Sequence, residues 1–388
     1  MEKHFDRDRV GDRVASLRKL RGITQPQLAA AAHFSTSTVK QVEQGAIPPS
    51  AAFVAAAARA LGVTAAQLYG VGERSMAEED PGVLLTGLRV AIDAWDDPRP
   101  EGEPLTLDAI NQRLDLIARQ VAGTKYTAAA DDLAVLLHHL YPLADRSGYD
   151  GESARAALHD AYRLAATVAG RYRQMDLAAV ASERHIQLAP TTGDPLRVAI
   201  SAFHRSSSYL SHGDYADGLR VLSRVDEHLA VPSQVATQVH LRAAILHARA
   251  GNLDRADERL AEARRAPAVP ATYRGIDGSR LNVDVHWCAL PVEALDGSEA
   301  VRRGAEIQLT DTSRPERIGH HHIDQARAWF LHGDRERCLA ELNLARRTAP
   351  FNTRHHPAVR ETVLAIADAD RRATDSLAGF AKWAGIAV

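Results

Sequence analysis

The segment Thr24–Gly45, TQPQLAAAAHFSTSTVKQVEQG, constrains this chain more than any other stretch. Its spacing predicts two short helices joined by a tight turn. Thr24 can cap a helix start, and Gln27, three residues on, completes a capping box. Pro26 falls in the first turn, where a backbone N–H has no intrahelical partner to lose. Leu28, Ala29 and Ala32 then face inward, and the helix stops near His33–Phe34. Ser35 caps a second helix that runs to about Gln44, and Gly45 can close it in the left-handed conformation.

At roughly 100° per residue, the second helix puts Val39 and Val42 on one face. Ser37, Lys40, Gln41 and Gln44 fall on the opposite face, with Thr36 at its N-terminal edge. Hydroxyl, amide and amine groups of this kind suit base edges, because Gln can pair with adenine in two places and Ser or Thr with several bases. A solvated amphipathic helix shares that polarity. The two capped helices, the hydrophobic turn residue and the terminal Gly together point instead to a helix-turn-helix that reads DNA. Charge agrees in sign. Residues 1–70 carry nine Lys/Arg against five Asp/Glu, or +4, while the whole chain is −2. A basic module on an acidic body suits a phosphate backbone, and its modest excess predicts moderate, salt-dependent affinity.

Residues 10–70 resemble the Cro/C1-type (Xre family) helix-turn-helix domain. The resemblance rests on Leu17, Arg18, Gly22, Thr24–Gln25, Leu28–Ala29, Ser35, Val39, Glu43, Gly45, Pro49–Ser50, Leu61–Gly62–Val63 and Leu68. It implies a lambda-repressor-like unit of five helices, at about 10–21, 25–32, 36–44, 51–61 and 65–70. It implies that Gln25 and Ser35 touch phosphates, that Thr36, Ser37 and Gln41 reach bases, and that Arg18 pairs with Glu43. His33 departs from the pattern, which places Gly or Asn in the turn. A small backbone strain is expected there, since His tolerates positive φ better than most side chains.

A chain of 388 residues is long enough for two or three domains, or for one domain and a repeat array. Hydrophobic residues make up 45% and are largely alanine, with aromatics at 5%, a balance that favours close-packed helices and an all-α fold. Cys288 and Cys338 form no disulfide framework and suit a reducing compartment. The N-terminal MEKHFDRDRV is too charged for a signal peptide, and no apolar run approaches membrane-spanning length. A cytoplasmic protein without membrane contact is expected.

The stretch Gly70–Gly82, rich in Gly and acid, reads as a linker, so the division expected is 1–70, 71–82 and 83–388. Helices are predicted at 83–95, 105–122, 125–145, 152–169, 172–188, 195–212, 215–229, 233–250, 253–266, 270–289, 298–309, 316–332, 335–347, 357–370 and 373–384. Four junctions are alike: AGRYRQMDLAAV, HGDYADGLRVL, AGNLDRADERL and HGDRERCLAEL. Gly213 and Gly251 are 38 residues apart, and Gly251 and Gly333 are 82 apart, close to two such steps. The body resembles tetratricopeptide repeats, which implies an α-solenoid of helical hairpins with a curved groove for ligands. A Xre-type head on such a body resembles a family of transcriptional regulators. The closing runs RHHPAVRETV and SLAGFAKWAGI resemble its actinobacterial members.

Enzymatic signatures such as GxSxG, GxxxxGK[ST], HExxH and GxGxxG are absent, so no catalytic residue and no cofactor is assigned. His320–His321–His322 with Asp324 is the sharpest histidine cluster. Three consecutive side chains diverge around a helix, so no metal is assigned either. Polar and aromatic groups within the repeat helices are the effector-binding candidates: Arg205, Tyr209, His240, Arg280, His286, Trp287, His321 and Trp329. The function expected is a DNA-binding transcriptional regulator, acting as a homodimer on a pseudo-palindromic operator, whose body senses a small-molecule or peptide effector. The alternative is a body that serves chiefly as a protein-interaction scaffold, for a sigma factor, a phosphotransfer protein or a toxin.

Overall fold

Capping chemistry sets the helix boundaries of the N-terminal unit. A computed structural model describes residues 9–69, 81–226, 233–266, 273–309, 313–369 and 375–386. Apart from its last two residues, the expected 71–82 linker lies outside them. The first unit holds α1 (Val10–Leu20), α2 (Gln25–Ala32), α3 (Thr36–Glu43), α4 (Ala51–Ala60) and α5 (Ala65–Leu68). Thr24 Oγ1 accepts from the Gln27 N–H while Gln27 Oε1 accepts from the Thr24 N–H, so the box at α2 is closed in both directions. Ser35 and Ser50 cap α3 and α4 by accepting from the N–H groups of Thr38 and Phe53.

His33 closes α2 at φ 56° and ψ 39°. Its N–H donates to Ala30 O and the next N–H, of Phe34, donates to Ala29 O. The turn delivers Phe34 edge-on to Phe53, with ring centroids 5.3 Å apart. Val14, Leu28, Val39, Val42, Leu61 and Leu68 complete the core. Gly11 lets α1 touch α3, because a Cβ there would meet Val42 O at 2.1 Å. The left-handed conformation costs an L-residue about 1–2 kcal/mol, part of which glycine returns as lost chain entropy. His33→Gly is therefore expected to stabilise this unit by up to about 1 kcal/mol and His33→Val to destabilise it by at least that much, as read by chemical denaturation.

The rest of the described chain is helical hairpins. They run α6 (Pro81–Leu84), α7 (Thr86–Asp93), α8 (Leu107–Ala122), α9 (Tyr126–Ala144), α10 (Gly148–Arg171), α11 (Met175–Leu188), α12 (Pro195–His212), α13 (Tyr215–Asp226), α14 (Ser233–Arg249), α15 (Leu253–Arg265), α16 (Arg280–Glu293), α17 (Gly297–Gly304), α18 (Pro315–His332), α19 (Arg335–Thr348), α20 (Pro350–His355), α21 (Pro357–Ala369) and α22 (Asp375–Ala384). Gly213, Gly251 and Gly333 close α12, α14 and α18 at φ 78°, 81° and 98°. The junction between α10 and α11 puts Arg173 in the same region at φ 59°. Between Gly251 and Gly333 lies the α16–α17 junction, where Leu295 adopts φ 62°. The glycine spacing skips that repeat because it turns on a leucine. Small residues mark the packing positions, with Gly218, Ala256 and Cys338 all buried. The apolar interior is divided into separate clusters along the array, as expected where each hairpin buries its face against its neighbours.

The sequence-based boundaries need correction at several points. The helix expected at 270–289 begins at Arg280. Tyr273 and Ile276 form a bridged turn, with Arg274 and Gly275 at φ 41° and 88°. Asp277 then accepts from the Ser279 N–H, and Ser279 caps α16. The helix expected at 298–309 ends at Gly304. The one expected at 83–95 divides into α6 and α7, and α20 was not foreseen.

Two features close the array. Phe351 of α20 packs edge-on against Tyr126 and Tyr172, at 5.2 and 5.0 Å, and the Tyr126 hydroxyl donates to Asn352 Oδ1 at 2.8 Å. The late hairpins thereby return to the early ones. The N-terminal unit then seats against the body. Arg59 donates to Gly213 O, and the Val10 N–H at the start of α1 donates to the Glu361 carboxylate at 3.2 Å.

Burial lifts the Glu361 carboxyl to about 7, against the Val10 N–H and the charges of Arg360, Arg13 and Arg9. The folded protein thus favours the protonated acid. Stability is lost as pH rises from the unfolded value, about 4.3, to about 7, and the loss is constant above; at ~1.36 kcal/mol per unit its ceiling is on the order of 3 kcal/mol. Glu361→Gln keeps an acceptor for Val10. Its unfolding temperature is expected to exceed the parent's at pH 8, with the gap narrowing towards pH 5.

Candidate nucleic-acid interface and interhelical cavity

On α3, Val39 and Val42 are buried at 0% and 2% exposure and hold the helix to the core. Thr36, Ser37, Lys40, Gln41 and Gln44 are all exposed, as is Ser35 at the cap, and they remain so with the body in place. Behind this face lies a buried polar knot. Arg18 Nε and Nη2 donate to the two Glu43 carboxylate oxygens at 2.6 and 2.9 Å, and Arg18 Nη1 donates to Ile23 O at 2.9 Å. Gln25 Nε2 donates to the same carboxylate at 2.8 Å. One N–H of the Gln25 amide is thereby committed within the fold, which leaves the second for an acceptor outside the knot.

The Arg18–Glu43 pair fastens α1 to the C-terminal end of α3, and both side chains are nearly buried. Arg18→Ala strands the Glu43 carboxylate and is expected to cost about 3–5 kcal/mol, while the double variant Arg18→Met, Glu43→Met regains most of it. Thermal unfolding of the three proteins measures both effects.

The body contains a cavity of about 440 Å³. One face of α14 supplies Arg242, Ile245 and Arg249, α16 supplies His286, Ala289 and Glu293, and α18 supplies Arg317, His320, Asp324 and Arg327. Arg171 and Glu316, which pair with each other, reach in from α10 and α18. The N-terminal unit contributes Pro49, Ala51 and Tyr69 to the same wall. Burial disfavours ionisation of Glu293, but Arg249 at 3.1 Å and Arg327 at 3.4 Å overcome it and hold the carboxyl below its ordinary range. Burial, reinforced by Arg317, lowers His286 to about 3. Its Nδ1 lies 2.8 Å from Asn282 O and must carry the proton, so Nε2 is the acceptor.

Of the eight effector candidates, the structure brings only His286 to this cavity. Arg205 is exposed on α12, and Tyr209 is half-buried beside Gly218. His240 lies 3.4 Å from Arg259, and Arg280 pairs with Asp284 at 3.2 Å. The Trp287 ring sits beside the guanidinium groups of Arg264 and Arg303, at 4.5 and 5.2 Å. Trp329 packs under Arg337 at 4.5 Å. In the histidine run, His320 lines the cavity, His321 is buried within the hairpins, and His322 pairs with Glu341 at 2.7 Å. The cavity arginines escaped sequence reasoning, although residues 238, 242, 245 and 249 recur at helical period.

A second polar cluster lies in the early hairpins. Asp160 is met by Arg274 at 2.5 Å, Arg197 at 3.5 Å and Arg163 at 4.0 Å, and its neighbour His159 contacts Ser201 at 3.1 Å. The order Ser201–His159–Asp160 has the polarity of a nucleophile relay. The three are 5%, 0% and 0% exposed, and three guanidinium groups neutralise the acid, so the cluster acts as a structural tie.

The arrangement of α2 and α3, with a tight turn between two capped helices, is that of a helix-turn-helix. A family model described as a helix-turn-helix domain matches residues 9–69. The immunity repressor protein of Bacillus phage phi105 is 27% identical over 125 residues, which span 30% of this chain and 87% of the relative. Among solved structures, PlcR of Bacillus thuringiensis, in complex with the peptide PapR7 and DNA, aligns over 88% of this chain and 94% of its own, with 13% identity and a TM-score of 0.32. Among the described residues, no helix is long and apolar enough to cross a membrane.

Proposed function

We propose that this protein is a sequence-specific DNA-binding transcriptional regulator. Residues 1–70 form the reading head, 71–82 the linker, and 83–388 a tetratricopeptide-like body that senses a small-molecule or peptide effector. The reading is carried by the five polar side chains of α3, exposed on one face of a capped helix whose other face is locked into a core. Thr36, Ser37 and Gln41 read base edges in the major groove, Gln25, Ser35 and Lys40 contact phosphates, and Gln44 borders them. One head makes few base contacts, so two act as a homodimer on a pseudo-palindromic operator. Similarity of 125 residues of this chain to a phage repressor supports the reading.

The cavity is the effector site in this reading. Its wall combines body residues with Pro49, Ala51 and Tyr69 of the head, so an occupant touches both units. It can shift the DNA-binding equilibrium only by its differential affinity for the two head placements. The recognition assignment is tested on DNA fragments selected by retention on the purified protein. The double variant Ser37→Ala, Gln41→Ala is expected to bind the selected fragment at least tenfold more weakly, with non-specific binding nearly unchanged, given about 1–3 kcal/mol per lost base pairing. Equal affinity for the selected fragment would remove α3 as the reading element.

A further inference from the structure

The cavity carries a charge imbalance that the fold itself does not resolve. Its three carboxylates are already engaged: Glu316 with Arg171, Glu293 with Arg249 and Arg327, and Asp324 with Arg327 at 3.3 Å. Arg242 and Arg317 line the same wall, and no ion pair joins either to a carboxylate among the described residues; Glu316 and Asp277 attract Arg317 from beyond that distance. Arg317 Nε is buried without a hydrogen-bond partner. Arg242 lies over the Phe203 ring, 4.9 Å from its centroid, which eases but does not neutralise its charge. Burial, with Arg249 and Arg317 nearby, lowers Arg242 to about 10, so it remains a cation at neutral pH. The lining histidines His286, His320 and His356 are all held below their ordinary range by burial first, so they add no charge there.

Two guanidinium groups without an ion-pair partner in a shielded cavity are costly unless something anionic enters. The planar fork of arginine suits carboxylate and phosphate oxygens. A volume of about 440 Å³ suits a metabolite-sized molecule. We propose that the cavity is a binding site for a compact organic dianion, a phosphomonoester or a dicarboxylate, whose two negative charges are met by Arg242 and Arg317. Tyr69 of the head lines the site, so the bound dianion contacts the DNA-binding unit directly. The proposal rests on the reading of the cavity as the effector site and narrows its ligand to one chemical class.

The test uses the full chain in a zwitterionic buffer. Inorganic phosphate and succinate are titrated separately by calorimetry and thermal shift, against sodium chloride at matched ionic strength. At least one is expected to bind saturably, one per chain, and to raise the unfolding temperature where chloride does not. Saturation by phosphate alone assigns a phosphoryl ligand, and saturation by succinate alone a dicarboxylate. Arg242→Met and Arg317→Met are each expected to weaken that binding at least tenfold. Without added anion they should unfold no earlier than the parent, since each removes an unpaired charge. Arg205→Met, outside the cavity, should bind as the parent does. Absence of binding above chloride for both anions, or binding retained in the Arg242→Met, Arg317→Met double variant, overturns the proposal. Affinity for the selected DNA fragment is measured in parallel. Anion binding that leaves it unchanged sinks the effector reading and keeps the anion site. A neutral compound that changes it, with no anion bound, sinks the dianion and keeps the effector reading.

Discussion

The contact of Phe351 with Tyr126 and Tyr172 brings the late hairpins back onto the early ones. A stack of helical hairpins has no intrinsic end, since each pair exposes an apolar face until something covers it. Here the late helix α20 returns to the early hairpins, and the Arg171–Glu316 pair ties α18 to the end of α10. The return converts an open groove into a walled cavity. Once walled, its side chains lose much of their water, and every charge on the inner faces must find a partner or remain costly. Glu293 meets that demand through Arg249 and Arg327 of the helices packed against its own, whereas Arg242 and Arg317 line the wall without such a pair.

What was legible in the sequence follows from the range of the interactions involved. The head was legible because its determinants are local: Thr24 and Gln27 cap across three residues, Ser35 caps α3, and Val39 and Val42 recur at helical period. The ends of α2 and α3 follow from those residues to within one position. Most body helices were legible for the same reason. The start of α16 was not, because Gly275, Gly278 and Asp277 act through a turn that periodicity does not register. The repeat at Leu295 was hidden because its left-handed residue is not glycine.

The effector candidates were chosen by side-chain character, and character does not distinguish inner from outer faces. Trp287 and Trp329 suggested a binding surface, yet each is covered by arginines of neighbouring helices. The orientation of a hairpin face depends on its neighbours and on the return of α20, both of which span long stretches of chain. Of the eight candidates, His286 alone lines the interhelical cavity.

Head and cavity are coupled by geometry that neither unit has alone. Tyr69 follows directly on α5, and Pro49 and Ala51 flank the start of α4, so the wall they form moves only if the head moves. Glu361 and Arg59 hold that placement through hydrogen bonds to Val10 and Gly213, joined by the Arg59–Asp214 ion pair at 3.5 Å and by the close approach of Gly213 to Ala55. The buried Glu361 carboxylate trades desolvation against attraction with little net gain, and the Arg59 side chain is largely solvated. A head seated by a nearly balanced set of contacts can be shifted by a small ligand-dependent term. A rigidly fused head would require far more. On the proposed reading of the cavity as the effector site, a wall shared between head and body is the element through which an occupant would act on the position of α3.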